Sequence, residues 1–203
     1  MSSATGIRVA LFDLGGVVVE LGGVQELGDL VGESSEEEIW RRWLSCPWVR
    51  RFERGQCTTD EFARGMVESW ELPLAPDDFL ARFQRWPRGL LPGAEALLES
   101  LHGRVHRACF SNTNAFHIDH QFEAFGIRTL FDEHFFSNQI GLVKPDREAY
   151  EHVVEALGCP AGHILFLDDN QINVDGAREV GLDAHRVRGV EEARRLLSER
   201  GIL

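Results

Sequence analysis

The sequence predicts an α/β fold: a doubly wound parallel sheet with an all-helical segment inserted after its first strand. Three observations predict it. Short apolar runs that end in polar residues recur along the chain, as VALFD at 9–13, VHRACFSN at 105–112 and ILFLDD at 164–169. Helix-period segments separate the later runs, and such alternation implies parallel strands with helices on both faces. Between residues 24 and 86 the pattern is helical throughout, with capping boxes and no convincing strand.

The elements follow in order. A buried strand over 7–11 delivers Asp13 at its C-terminal end. Gly15, Gly16, Gly22 and Gly23 then surround a valine-rich segment, but no Lys-Ser/Thr follows as in a phosphate-cradling P-loop. Ser34 with Glu37, and Ser35 with Glu38, offer overlapping capping boxes before a helix carrying Ile39, Trp40, Trp43 and Leu44. Thr58 and Glu61 open a second, with Phe62, Met66 and Trp70 at helical spacing. Pro76 opens a third, with Phe79, Leu80, Phe83 and Trp86 on one face. Pro47 and Pro73 break the run, so four or five short helices are expected. All five tryptophans fall in this segment, where a small bundle needs large side chains for its core. Trp48, in a loop-like CPW, is the one expected to face a ligand instead.

After Trp86 a helix is expected to run to about Leu101, then a strand over 105–110 ending at Ser111 and Asn112. A helix over 114–125 closes at Gly126, and a short strand covers 134–137. A helix over 146–157 follows Lys144, and a strand over 164–167 ends at Asp168 and Asp169. Helix 174–180, an edge strand at 184–187 and helix 191–200 complete the chain. The division expected is an α/β unit of residues 1–19 and 90–203, with a helical unit of 20–89.

Composition narrows the function. The chain has 203 residues, 43% of them hydrophobic, and a formal net charge of −12, which disfavours nucleic acid and anionic membrane surfaces as partners. It does not disfavour a small anion in a local positive pocket. MSSATGIR lacks a basic start and a long apolar run, and no stretch of about 18 apolar residues exists, so a cytoplasmic protein with no spanning helix is expected. Cys46, Cys57, Cys109 and Cys159 show no CxxC spacing, so free thiols are expected rather than a zinc site or a disulfide framework.

In a doubly wound sheet, ligands bind beyond the carboxyl ends of the strands. Asp13, Ser111 with Asn112, Lys144, and Asp168 with Asp169 all fall at such ends or just after them. Several carboxylates, a hydroxyl and one lysine suit Mg²⁺ and a phosphate, since Mg²⁺ takes a few carboxylates and completes its octahedron with phosphate oxygens and water. Ser111 could donate to a phosphoryl oxygen, and Lys144 could offset negative charge. His117 and His120, at i and i+3, read as solvated surface, and Arg50, Arg51 and Arg54 as a solvated basic patch.

These segments resemble the four motifs of the haloacid dehalogenase-like hydrolase superfamily, in order: FDLGGV, CFSNTN, VKPDREAY and ILFLDDNQINVDGA. FERGQCTTDEF and LLPGAEALLESL are similar to the branch whose cap, inserted after motif one, is all helical. The resemblance implies a Mg²⁺-dependent phosphatase acting on a small phosphorylated metabolite. Asp13 would be the nucleophile, and Asp13, the Gly15 carbonyl and Asp169 the metal ligands, with Asp168 close by. Ser111, Asn112 and Lys144 would bind the phosphoryl group. Relatives commonly carry a second Asp, the general acid and base, where this chain has Gly15. A substrate with a good leaving group, such as a sugar 1-phosphate, would ease that loss. Two other readings follow from the same residues: a 2-haloacid dehalogenase attacking carbon, and a binding or regulatory module on a retired phosphate site. A monomer and a homodimer are equally compatible with the sequence.

Overall fold

The structure, a computed structural model, describes residues 6–32 and 35–203. Its strands are β1 (Val9–Phe12), β2 (Val19–Leu21), β3 (Pro87–Leu90), β4 (His106–Ser111), β5 (Glu133–Phe136), β6 (Ile164–Asp168) and β7 (Asp183–Arg186). Helices α1 (Gly23–Val31), α2 (Glu36–Ser45), α3 (Pro47–Glu53), α4 (Thr59–Ser69) and α5 (Pro76–Phe83) lie between β2 and β3. The remainder are α6 (Ala94–Ser100), α7 (Ala115–His117), α8 (Ile127–Leu130), α9 (Ser137–Ile140), α10 (Arg147–Leu157), α11 (Gln171–Val180) and α12 (Gly189–Glu199).

Side-chain alternation along the central strands sets the architecture. Ala10 and Phe12 of β1, Cys109 of β4, and Leu165 and Leu167 of β6 share one apolar core with α6 and α12. Their neighbours Val9, Leu11, Ala108, Phe110, Ile164 and Phe166 share the other, with α10 and α11. Both faces are therefore buried, as a parallel sheet with crossover helices requires. The strand order is β5-β4-β1-β6-β7, all parallel, with β7 at the edge. Central β1 pairs with β4 on one side and β6 on the other, so the strand order reverses around it. Its C-terminal end is where a crevice opens.

The inserted helices have a core of their own. Trp43, Trp70 and Trp86 are buried there, and Phe52 stacks on Phe62 with centroids 4.1 Å apart. Thr58 and Glu61 form the expected reciprocal capping box. Ser35 caps α2 by accepting from the Glu38 N–H, whereas the Ser34 box lies outside the described residues. Trp48 departs from expectation. Pro47 starts a helix rather than a loop, and the Trp48 ring packs so closely on Gly65 that a Cβ there would sit 2.1 Å from it. A glycine on α4 is what lets the two helices approach.

Two further departures concern local structure. The insertion leaves and returns through a short antiparallel ribbon of β2 and β3, whose Pro87 and Gly89 hide it from a strand pattern. The helix expected over 114–125 is instead α7 followed by a π-helical turn at Ile118–Phe122. That turn lets Ile118 and Phe122 pack into the sheet core while His117 stacks on Phe83 of the insertion, centroids 4.2 Å apart. Gly126, Gly158 and Gly181 take left-handed conformations where the sequence placed helix ends. All four cysteines are free. No helix among the described residues is long and apolar enough to cross a membrane.

Because every tryptophan lies within 40–86, tryptophan fluorescence reports on the helical core alone. Phe62→Ala removes a fully buried ring from that core and is expected to lower its stability by about 3–5 kcal/mol in a denaturant titration followed by that signal. A loss below about 1 kcal/mol would mean the site collapses around the missing ring.

Candidate active site

Asp13 follows β1 directly, and its backbone N–H is held by the Leu167 carbonyl of β6 at 2.8 Å. The chain then turns sharply, with the Leu14 carbonyl accepting from the N–H groups of Val18 and Val19. Gly16 sits in this turn at φ +71°, and a Cβ there would lie 2.3 Å from Asp169 Oδ2. Only glycine allows both the conformation and the approach. Ser111 is the last residue of β4 and Asp168 the last of β6. Asp13, Gly15, Ser111, Asn112, Lys144 and Asp169 line a single pocket beyond these strand ends.

Lys144 organises the floor. Its Nζ donates to Asp13 Oδ1 at 2.7 Å and to Asp168 Oδ2 at 2.6 Å, and the side chain is only 1% exposed. Burial works against its charge, but the two carboxylates outweigh it and hold the ammonium above its ordinary value. Asn112 fixes the segment that carries it: the Asn112 amide donates to the Lys144 carbonyl and accepts from the Lys144 N–H. Asp168, fully buried, also accepts from the Asn170 N–H and from Asn173 Nδ2. Its oxygens are thus occupied by protein donors, and it lies behind the pocket rather than lining it.

The charge balance is uneven. Asp13, Asp168 and Asp169 bring carboxylate oxygens within 4.8 Å of one another. Burial pushes Asp13 up, to about 7, with Lys144 pulling back and Asp168 adding to the rise. Burial raises Asp169 well above the ordinary carboxylate range, and Asp13 and Asp168 raise it further. One lysine does not neutralise three carboxylates, so the site has the donor set and the charge excess that accept a hard divalent cation.

The inserted helices supply the roof. Ile39, Trp40, Trp43 and Leu44 of α2, Phe83 of α5 and Trp86 face the pocket. The wall-forming tryptophans are therefore Trp40, Trp43 and Trp86, not Trp48. Glu53 and His117 are polar residues of the lining that were not singled out from sequence as site groups. Glu53, at the end of α3, is 7% exposed and accepts a hydrogen bond from Trp43 Nε1 at 3.3 Å. Its neighbours in sequence are arginines, which make it read as solvated surface. His117 is buried rather than solvated: its Nε2–H donates to the Phe83 carbonyl at 2.8 Å, and burial pulls its pKa down to about 4, leaving a neutral ring. Asn114 caps the short helix that carries His117, accepting from the His117 backbone N–H. His120 stays at the surface. Arg50 and Arg54 are not a free patch, because both bind the Asp146 carboxylate across the gap between α3 and α10.

Comparisons with known proteins find relatives in sequence and in fold. A sesquiterpene phosphatase of Aspergillus oryzae is 31% identical over 186 residues, covering 88% of each chain. A phosphatase of Mycobacterium tuberculosis is 29% identical over 160 residues, covering 74% of this chain and 72% of its own. The crystal structure of a HAD family enzyme from Bacteroides thetaiotaomicron, in complex with magnesium and inorganic phosphate, superposes with a TM-score of 0.69 at 21% identity. It covers 90% of this chain and 94% of that one. The sequence model for haloacid dehalogenase-like hydrolases matches residues 7–181, and the chain belongs to that family of hydrolases.

Proposed function

We propose that this hydrolase is a Mg²⁺-dependent phosphomonoesterase that acts through an aspartyl-phosphate on Asp13. The observation that carries the reading is Lys144 buried between Asp13 and Asp168 on the floor of an acidic crevice. The ammonium favours the ionised form of Asp13 against the effect of burial and holds one carboxylate oxygen, leaving the other to attack phosphorus. Attack forms the Asp13–phosphorus bond as the ester oxygen leaves, and water then cleaves the acyl phosphate, splitting one hard displacement into two easier ones. Ser111, at the end of β4 in the pocket lining, would donate to a phosphoryl oxygen. Lys144 would offset charge that builds on that group in the transition state.

The residues fit Mg²⁺. Asp13, Asp169 and the Gly15 carbonyl would hold it, with Asp168 steadying Lys144 behind them. When bound, the ion supplies positive charge that neutralises and polarises the phosphoryl oxygens. The aspartate pair at 168 and 169 is also what separates this reading from a metal-free dehalogenase, where clustered carboxylates would repel a carboxylate substrate.

The lining speaks to the rest of the substrate. A sugar needs polar partners for its hydroxyls, yet the roof is largely indole, phenyl and aliphatic surface. His117 and Asn114 are engaged with each other and with Phe83. Such walls favour a phosphate ester whose organic part is apolar over a sugar phosphate. The similarity to a sesquiterpene phosphatase points the same way.

Two outcomes are expected in a phosphate-release assay. Asp13→Asn abolishes turnover, as does chelation of divalent metal, with Mg²⁺ restoring only the latter. Activity surviving either treatment would overturn the reading. In a panel of phosphomonoesters, kcat/KM for prenyl or medium-chain alkyl phosphates exceeds that for sugar 1-phosphates by at least about tenfold, roughly the contribution of one or two buried methylenes. The reverse order would assign the pocket to sugars.

A further inference from the structure

We infer that Glu53, delivered by the inserted helices, is the general acid and base of this hydrolase, in the role that Gly15 cannot fill. The inference rests on the phosphatase reading above and deepens it. Three observations converge on this residue. First, a proton donor at position 15 is not merely absent. A Cβ added to Gly15 would lie 3.3 Å from Leu21 Cδ2, so the space for a side chain there is crowded. Second, Glu53 lines the same pocket as Asp13, Ser111 and Lys144, and is buried with no cation among the described residues in direct contact. Arg50, on the same helix, is committed to Asp146. Third, its environment suits proton exchange near neutrality. Burial raises its pKa to about 7, while the Trp43 indole, Lys144 and Arg50 restrain the rise and Asp13 adds to it.

The placement matches the chemistry. Asp13 attacks from the sheet edge, so in-line displacement sends the leaving oxygen away from the sheet, toward the roof where Glu53 lies. As the Asp13–phosphorus bond forms and the phosphorus–ester oxygen bond breaks, the Glu53 carboxyl gives its proton to that oxygen and the alcohol departs. Water then occupies the vacated position. The Glu53 carboxylate takes its proton as the oxygen bonds to phosphorus and the phosphorus–Asp13 bond breaks. Phosphate leaves, and Asp13 and Glu53 return to their starting states. One carboxyl serves both steps because leaving group and water use the same side of phosphorus. An apolar alcohol is a poor leaving group, which makes this proton necessary rather than convenient.

The test compares hexyl phosphate, which needs a proton on its leaving oxygen, with p-nitrophenyl phosphate, which does not. Glu53→Gln keeps the shape and the acceptor for Trp43 but cannot donate or take the proton. It is expected to lower kcat/KM for hexyl phosphate by about 10²–10⁴-fold. For p-nitrophenyl phosphate the loss stays under roughly tenfold, because kcat/KM reports only the steps through leaving-group release. An equal loss on both esters would make Glu53 a structural or binding residue and overturn the inference, as would unchanged activity on hexyl phosphate. Should the variant not fold, the wild-type enzyme decides. Its kcat/KM across a series of phosphate esters is expected to depend only weakly on leaving-group basicity, and a steep dependence contradicts an internal acid. Wild-type inactivity on every ester would instead count against the phosphatase reading itself.

Discussion

A single buried ammonium holds this site together. Lys144 sits between Asp13 and Asp168 with almost no exposure, in contact with the rings of Phe110 and Phe166 behind it. A buried charge is tolerated only when paired and hydrogen-bonded, and losing one partner of such a pair costs about 3–5 kcal/mol. Lys144 therefore fixes where both carboxylates point, and they in turn keep it protonated. Around that triad the structure builds outward. Asn112 clamps the Lys144 backbone, and Asn173 and the Asn170 N–H hold Asp168 from the far side. Tyr150 reaches across from α10 to the Asn173 carbonyl. Lys144 Nζ, the Asn112 amide and both Asp168 oxygens each have a partner, and these ties hold the floor in place.

The roof obeys a different constraint. It rests on an aromatic core of its own, and it meets the floor through a few specific ties. Arg50 and Arg54 converge on Asp146, two residues after Lys144. His117, from the sheet side, stacks on Phe83 and donates to its carbonyl. These ties hold α3, and with it Glu53, in the pocket that the nucleophile also lines. Among the described residues of the inserted helices that line the pocket, Glu53 carries the one carboxyl on an otherwise largely apolar roof.

Much of the floor was legible in the sequence. Apolar runs that end in Asp13, Ser111 and Asp168 are a local pattern, and the doubly wound topology gathers such ends in one place. Strand and helix types were also legible, with ends displaced by a few residues. What was not legible depends on contacts distant in sequence. Glu53 lies among arginines and reads as surface until α3 is turned against the sheet edge. His117 reads as solvated until a π-helical turn redirects it. Trp48 suggested a pocket wall from its proline-flanked context, but only the Gly65 approach reveals its place. The β2–β3 ribbon is too short, and too rich in proline and glycine, to show a strand pattern. Asp168 and Asp169 look equivalent as neighbours in sequence. Their hydrogen bonds make one a support for Lys144 and leave the other facing the pocket.

The central claim is that Asp13 becomes phosphorylated during turnover. The most direct measurement is acid quench of the enzyme mixed with substrate and Mg²⁺, followed by peptide mass spectrometry. The account predicts one phosphoryl group on the peptide containing Asp13, at the Asp13 side chain, forming within the first turnover and absent in Asp13→Asn. A turning-over enzyme whose phosphoryl group lies on another residue would contradict it, as would substitution of carbon rather than phosphorus at Asp13.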